Sequence, residues 1–104
     1  MNAFVRDMVR YPVLAMSPIT NSITVGTSAI EAKAGVTQIR RSCLRIAKTG
    51  NGIVYWGGAS DVTVGTGFPL FAENDVIEFG FIPGAYIPIY LIASQNIEVR
   101  IAEW

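Results

Sequence analysis

The run Arg41-Ser42-Cys43-Leu44-Arg45-Ile46-Ala47-Lys48-Thr49-Gly50-Asn51-Gly52-Ile53-Val54-Tyr55-Trp56 decides the fold class. Before a Gly-Asn-Gly centre, Leu44 and Ile46 recur at every second position, the period of a half-buried strand and not of a helix, and after it Ile53-Val54-Tyr55-Trp56 is a short run of β-branched and aromatic residues. Asn51-Gly52 between two alternating runs is a strong hairpin signal, because both residues accept the positive φ that a tight turn of the right twist requires. The expectation is that residues 41–48 pair antiparallel with residues 53–56. The apolar phase changes between Ile39 and the Leu44/Ile46 pair, which predicts a bulge near Arg40 and Arg41.

The same pattern continues outward. Toward the N-terminus, Ile23 and Val25 alternate with Ser22 and Thr24 until Gly26-Thr27 breaks the run. Ile30 with Ala32 gives a second short strand, with a turn at residues 33–35. Toward the C-terminus, Gly57-Gly58 ends the strand begun at Ile53. Val62 and Val64 then alternate with Thr63, and Gly65-Thr66-Gly67 leads into Phe68-Pro69-Leu70. Residues 75–79 read as a strand with Ile77 and Phe79 on one face and Val76 and Glu78 on the other. Residues 86–93 and 97–103 predict a closing hairpin over Ser94-Gln95-Asn96, with Ile97, Val99 and Ile101 sharing a face. Short strands at steady spacing, punctuated by Gly, Asn and Ser, predict an all-β antiparallel β-sandwich over residues 19–104, jelly-roll-like or a small barrel. No segment after residue 19 supports a helix of three turns.

Residues 1–18 follow another pattern. Phe4, Val5, Met8 and Val9 allow one or two helical turns, but Pro12 follows too soon for a long helix. Pro12 and Pro18 bracket the apolar run Val13-Leu14-Ala15-Met16, which reads as extended chain. Two placements are open: a strand on the domain's own sheet, or an extended N-terminal arm reaching onto a neighbouring subunit. The second is favoured, because so apolar a segment is costly in water if left free. Candidate oligomer or partner contacts are therefore Phe4, Val5, Met8, Val9, Val13, Leu14 and Met16, with Phe81, Ile82, Tyr86 and Ile87 from the other long apolar segment.

Composition sets the classes that are excluded. A chain of 104 residues is one domain, and 51% hydrophobic against 15% charged residues is more apolar surface than so small a body hides. That excess points to burial against copies of itself or a partner. Eight basic residues balance eight acidic ones, so direct nucleic-acid binding is not expected. The basic group Lys33, Arg40, Arg41, Arg45 and Lys48 reads either as a nucleic-acid-facing sheet surface or as a solvated strand face or the positive half of an interface. An asymmetry favours the interface: residues 1–60 hold seven basic and two acidic residues, +5, and residues 61–104 hold one and six, −5. Opposite patches suit head-to-tail contact between copies.

With no histidine in the chain, the commonest general base and metal ligand is missing. No catalytic residue, cofactor or metal is assigned, although Glu73 with Asp75, or Glu78, supply carboxylates. Cys43 is the single cysteine; it reads as a small buried apolar residue, and the lack of a disulfide framework suits a reducing cytoplasm. Gly50-Asn51-Gly52 and Gly65-Thr66-Gly67 lack the Lys-Ser/Thr or the helix of a phosphate loop and read as turns. Gly80, Pro83, Gly84 and Pro88 interrupt the longest uncharged stretch, so no membrane span is expected.

Three stretches together carry a family resemblance: Val54-Tyr55-Trp56-Gly57-Gly58, then Val62-Thr63-Val64-Gly65-Thr66-Gly67-Phe68-Pro69-Leu70, then Leu91-Ile92-Ala93-Ser94 with Ile97-Glu98-Val99-Arg100-Ile101-Ala102-Glu103-Trp104. From about Ile23 to Trp104 the chain resembles small β-sandwich virion structural proteins of tailed bacteriophages, of the head-decoration, fibre-base or neck type. The resemblance implies a non-enzymatic particle component, assembled in the host cytoplasm and resident in the virion. It implies a capsid decoration, or cement, protein that forms a homo-oligomer, a trimer among the candidate orders, and binds the major capsid protein or another virion protein. A neck, tail or fibre-attachment adaptor is the alternative. A carbohydrate-binding module is a third, with Tyr55, Trp56, Tyr86 and Tyr90 available for stacking, although alternation places Trp56 in the core. The N-terminal arm and residues 79–88 exceed the family pattern, and both are expected at oligomer contacts.

Overall fold

A computed structural model describes residues 18–35, 41–71, 74–82 and 87–104, which form eight strands and, among the described residues, no helix. The strands are β1 (Ile19–Val25), β2 (Ile30–Glu31), β3 (Cys43–Lys48), β4 (Val54–Gly57), β5 (Phe68–Leu70), β6 (Val76–Gly80), β7 (Tyr90–Ala93) and β8 (Ile97–Glu103). They make two four-stranded antiparallel sheets, ordered β1-β8-β3-β6 and β2-β7-β4-β5. The two sheets enclose one core in a β-sandwich-like arrangement, so the all-β antiparallel expectation is met.

Strand β8 is the spine of the first sheet. Ile97, Val99 and Ile101 face inward and are almost fully buried, as the two-residue period predicts. They meet Leu44 and Ile46 from β3, and Val54, Leu91 and Ala93 from the second sheet. Strand β6 obeys its predicted phase too, with Ile77 and Phe79 packed against the core and Val76 and Glu78 exposed. Trp56 also lies against the core, as alternation required. Its ring stands edge-on to Phe79 across the sandwich at 4.9 Å and tilted to Phe68 at 5.6 Å.

Both predicted hairpins are corrected. Strand β3 is bonded on one side to β8 and on the other to β6, and β4 lies in the opposite sheet. Residues 49–53 therefore carry the chain across the core thickness, about 10 Å, and not to an adjacent strand about 4.8 Å away. Gly52 does hold the positive φ, 110°. Likewise β7 and β8 belong to different sheets, so residues 94–96 are a second crossing. Residues 26–29 and the link from β5 to β6 also pass between sheets, and these four crossings gather at one end of the molecule. Their backbones are tied together there: Ala93 donates to Gly26, Thr49 to Glu98, Lys48 to Asp75, and Asn74 to Lys48. This is the corner end. The opposite end, where β1 begins and β8 finishes, is the terminal end.

Other expectations change as well. Residues 61–67 form turns, not a strand, and pairing starts only at Phe68. Thr63 and Thr66 close this segment on itself: the Thr66 hydroxyl accepts from the Thr63 N–H at 3.0 Å, and the Gly67 N–H donates to the Thr63 carbonyl at 2.8 Å. Val62 is buried here, outside the main core. A Cβ at Gly57 would come within 2.7 Å of Val62, and one at Gly67 within 2.6 Å of the Tyr55 Cβ, so only glycine lets the loop press down on the outer face of β4. Cys43 is not a core residue; it faces outward from β3, half-buried beside Glu78. The regular strand begins at Cys43, with Arg41 buried ahead of it; Arg40, where the bulge was expected, lies outside the described residues.

Candidate interaction surface

The terminal end is organised by a buried ion pair. Arg41 precedes β3, Glu103 ends β8, and both side chains are fully buried with Nη1 and Oε1 2.8 Å apart. Glu103 occupies the inward phase set by Ile97, Val99 and Ile101, and a carboxylate there is tolerated only with its oxygens satisfied. Its second oxygen accepts the Ala34 N–H at 2.6 Å. Arg41 donates from Nη1 to the Ala32 carbonyl and from Nη2 to the Ile87 carbonyl, each at 3.0 Å. Its guanidinium lies over the Phe81 ring, 5.1 Å from the centroid. Alternation found neither role, but a charged residue in the core phase of a strand was a legible demand for a partner.

This network fixes the apolar residues around it. Ile82 is 75% exposed, Ile87 47% and Ile19 43%. The register line Ile19–Glu103–Leu44–Phe79 crosses the first sheet, so the point where residues 1–17 join the fold stands at the same end as Phe81 and Ile82. Of the sequence-derived contact residues, Phe81 packs against the core, stacked on Phe79 with centroids 6.4 Å apart, and its ring is used within the chain. Ile82 and Ile87 are open to solvent. Phe4, Val5, Met8, Val9, Val13, Leu14, Met16 and Tyr86 lie outside the described residues. Ile19 was not anticipated as part of this surface; it reads in sequence simply as the first residue of a strand.

The basic residues do not share a face. Arg41 and Lys48 are buried, Arg45 points outward from β3, and Lys33 sits near Glu31, with Nζ and Oε1 3.9 Å apart. Arg40 lies outside the described residues. Two pairs meet part of the charge asymmetry between chain halves inside one subunit, Arg41–Glu103 and Arg45–Glu78 at 3.5 Å.

On the outer face of the first sheet, Arg45 and Arg100 flank a shallow groove of about 450 Å³ over Ala47 and Ala102, beside Thr20 and Ser22. Glu98 accepts from Ser22 and lies 4.0 Å from Arg100. At the margin of this face Cys43 donates to Glu78 at 3.3 Å. Partial burial, then the Glu78 hydrogen bond and charge, push the thiol up to about 11, against the opposing pull of Arg45. Of the aromatic residues suggested for sugar stacking, Trp56 is between the sheets and Tyr55 lies under the 58–67 loop, Tyr90 is half-buried at the start of β7, and Tyr86 lies outside the described residues. Among the described residues no three metal-ligating side chains cluster, and no helix is long and apolar enough to cross a membrane. In comparison with known proteins, no family model, no curated protein and no solved structure matches this chain.

Proposed function

We propose that this chain is a jelly-roll structural subunit of a tailed-phage particle, a head-decoration protein that acts through assembly and not through catalysis. The observation that carries the reading is the pairing scheme: β1 with β8, β2 with β7, β3 with β6 and β4 with β5. That nesting is one long two-stranded ribbon rolled over so that β8 also meets β3 and β7 meets β4, the double-sheet roll found in viral capsid proteins, lectins and cupins. Fold alone does not choose among these, and the residues supply the choice. The cupin reading lacks support in a chain without histidine whose interior is filled by Leu44, Ile46, Leu91, Val99 and Ile101. The lectin reading finds Trp56 packed against the core and Tyr55 covered by the 58–67 loop. What remains is an inert core with apolar side chains displayed at the end where an apolar N-terminal segment of 17 residues joins, the makings of an assembly subunit.

In this reading residues 1–18 form an extended arm, the subunit oligomerises, and many copies bind the major capsid protein, each adding a small increment to head stability. Antibody against the purified protein, applied to phage particles from a strain carrying the gene, tests it. Labelling distributed over the head is expected. Label at one vertex would reassign the protein to the neck or tail, and unlabelled particles would overturn the virion assignment.

A further inference from the structure

We infer that the terminal end of each subunit, at Ile82 and Ile87, is the seat for the N-terminal segment, residues 1–17, of a second copy of the chain. The inference deepens the assembly reading above and rests on it, naming the surface and its occupant. Three observations converge.

First, the surface is apolar and held in place. Ile82 and Ile87 are 75% and 47% exposed, yet the backbone is anchored at Phe81 and at Ile87: the Phe81 N–H donates to the Ser42 carbonyl at 2.9 Å, and the Ile87 carbonyl accepts from buried Arg41. Exposed apolar side chains beside anchored backbone lose little freedom when covered by an incoming chain.

Second, the occupant joins the fold at this same end. Residues 1–17 enter at Pro18, next to Ile19, which is in register with Glu103, the partner of Arg41. The segment holds Phe4, Val5, Met8, Val9, Val13, Leu14 and Met16, so it and the surface both stand to leave water.

Third, the local sequence opposes a fold-back onto its own subunit. Strand β1 runs from the terminal end toward the corner end, so a chain that returned over its own sandwich would have to reverse before Ile19. The first glycine of the chain is Gly26, and no Asn or Asp lies between residues 11 and 18. Pro12 and Pro18 disfavour helical backbone at the residues before them, Tyr11 and Ser17. A stretch of 17 residues reaches at most about 60 Å, enough to span onto an adjoining molecule. Phe71, 64% exposed like Phe68, is one rival apolar seat; it lies at the corner end, away from the point of entry.

The test uses full-length chains in a Cys43→Ser background. One chain carries Leu14→Cys, the other Ile82→Cys, the two are distinguished by a mass tag and co-expressed, and the purified protein is oxidised and run without reducing agent. A heterotypic disulfide-linked dimer is expected with Ile82→Cys or Ile87→Cys, and little with Phe71→Cys. Sedimentation of the same samples separates the two levels of the argument. An oligomer that cross-links equally well or better through Phe71→Cys, or not at all, overturns this seat and leaves the assembly reading standing. A disulfide formed only when Leu14→Cys and Ile82→Cys share one chain would show the arm docked on its own subunit and overturn the exchange. A monomer at all concentrations would overturn both.

Discussion

The two ends of the sandwich solve the same problem differently. At each, a cation is buried at an end of β3: Arg41 at the terminal end, Lys48 at the corner end. The Arg41 charge is met by a carboxylate, two carbonyls and an aromatic face, whereas Lys48 donates to the Gly50 carbonyl at 2.7 Å. The corner end is otherwise closed by backbone: four short crossings bonded to one another, with Gln95 reaching the Asn51 carbonyl. Such an end needs little from side-chain charge. The terminal end joins segments far apart in sequence, residues 32–34, 41, 87 and 103, through two side chains. Backbone bonds of Ser42 and Cys43 to Trp104 and of Phe81 to Ser42 add to it, but its buried side-chain order is concentrated in a single pair, and so is much of its vulnerability.

Removing one member of that pair should be the most damaging single change. In Arg41→Met the Glu103 carboxylate stays buried without its counter-charge, and a loss of about 3–5 kcal/mol is expected, read from urea unfolding monitored by circular dichroism. Arg41→Met with Glu103→Leu should recover at least half of that loss, because the desolvated charge goes as well. If the double variant were as unstable as the single one, the Ala34, Ala32 and Ile87 backbone bonds, and not charge burial, would be what the pair provides.

The matching change at the corner end is Gly52→Val. Its φ of 110° disfavours a β-branched residue, and a Cβ would stand 2.7 Å from both Gln95 Nε2 and Ile97 Cδ1. A loss of about 2 kcal/mol is expected, from backbone strain and from displacement of Ile97. Thermal melting of the two variants side by side checks the order. A larger effect at Gly52 than at Arg41 would reverse the ranking of the ends.

Lys48→Met isolates the second buried cation. The thioether keeps most of the volume of the lysine stem and removes a charge held by a carbonyl, so stability should stay within about 1 kcal/mol of the parent. A cost equal to that of Arg41→Met would mean that Lys48 is as integral to its end as Arg41 is to the other, and the contrast would collapse.

Much of this contrast was present in the sequence, and the misreadings have identifiable causes. Alternation located seven of the eight strand segments and the inward faces of β6 and β8, because burial on one face enforces period two. It misplaced the partners, because ladder bonds say nothing of which strands they join. For Asn51-Gly52 a corrective signal existed. A two-residue hairpin would set Ile46 opposite Gly57 and Ala47 opposite Trp56, putting Val54 and Trp56 on the face away from Leu44 and Ile46; the apolar phases disagree by one residue, which a one-sided sheet does not tolerate. At Ser94-Gln95-Asn96 no such conflict arises, since Leu91 and Val99 would share a face in a hairpin too, and only the long-range pairing of β8 with β1 and β3 decides. Val62 and Val64 mimic a strand because a plug that presses on a sheet and a strand within one require the same residue types. Of the interaction surface, Ile82 and Ile87 were legible as apolar residues in a Gly/Pro-rich stretch. Their anchoring by Arg41 was not, because it joins positions 46 and 62 residues apart.

The smallest effect offers the most local reading of the terminal end. Cys43 opens β3 there, exchanging backbone bonds with Trp104 and donating its thiol to Glu78. With the thiol pushed up from 9.0 to about 11, its alkylation by iodoacetamide at pH 8 should run about a hundredfold slower than that of an unperturbed cysteine. Glu78→Gln should recover part of that factor, since it removes a negative charge that opposes the thiolate. The fold favours the protonated thiol, so this contribution to stability is complete below pH 9 and is lost as pH rises from 9 to about 11. Cys43→Ser should flatten that part of the pH profile. The same rate then reports on each end in turn. Arg41→Met, by loosening the contacts around Trp104, should accelerate alkylation at constant pH, while Gly52→Val, acting at the far end of the sandwich, should leave it within about twofold under conditions where both variants remain folded. Equal acceleration by both would mean that the two ends open together as one cooperative unit, and that their different construction has no counterpart in their motion.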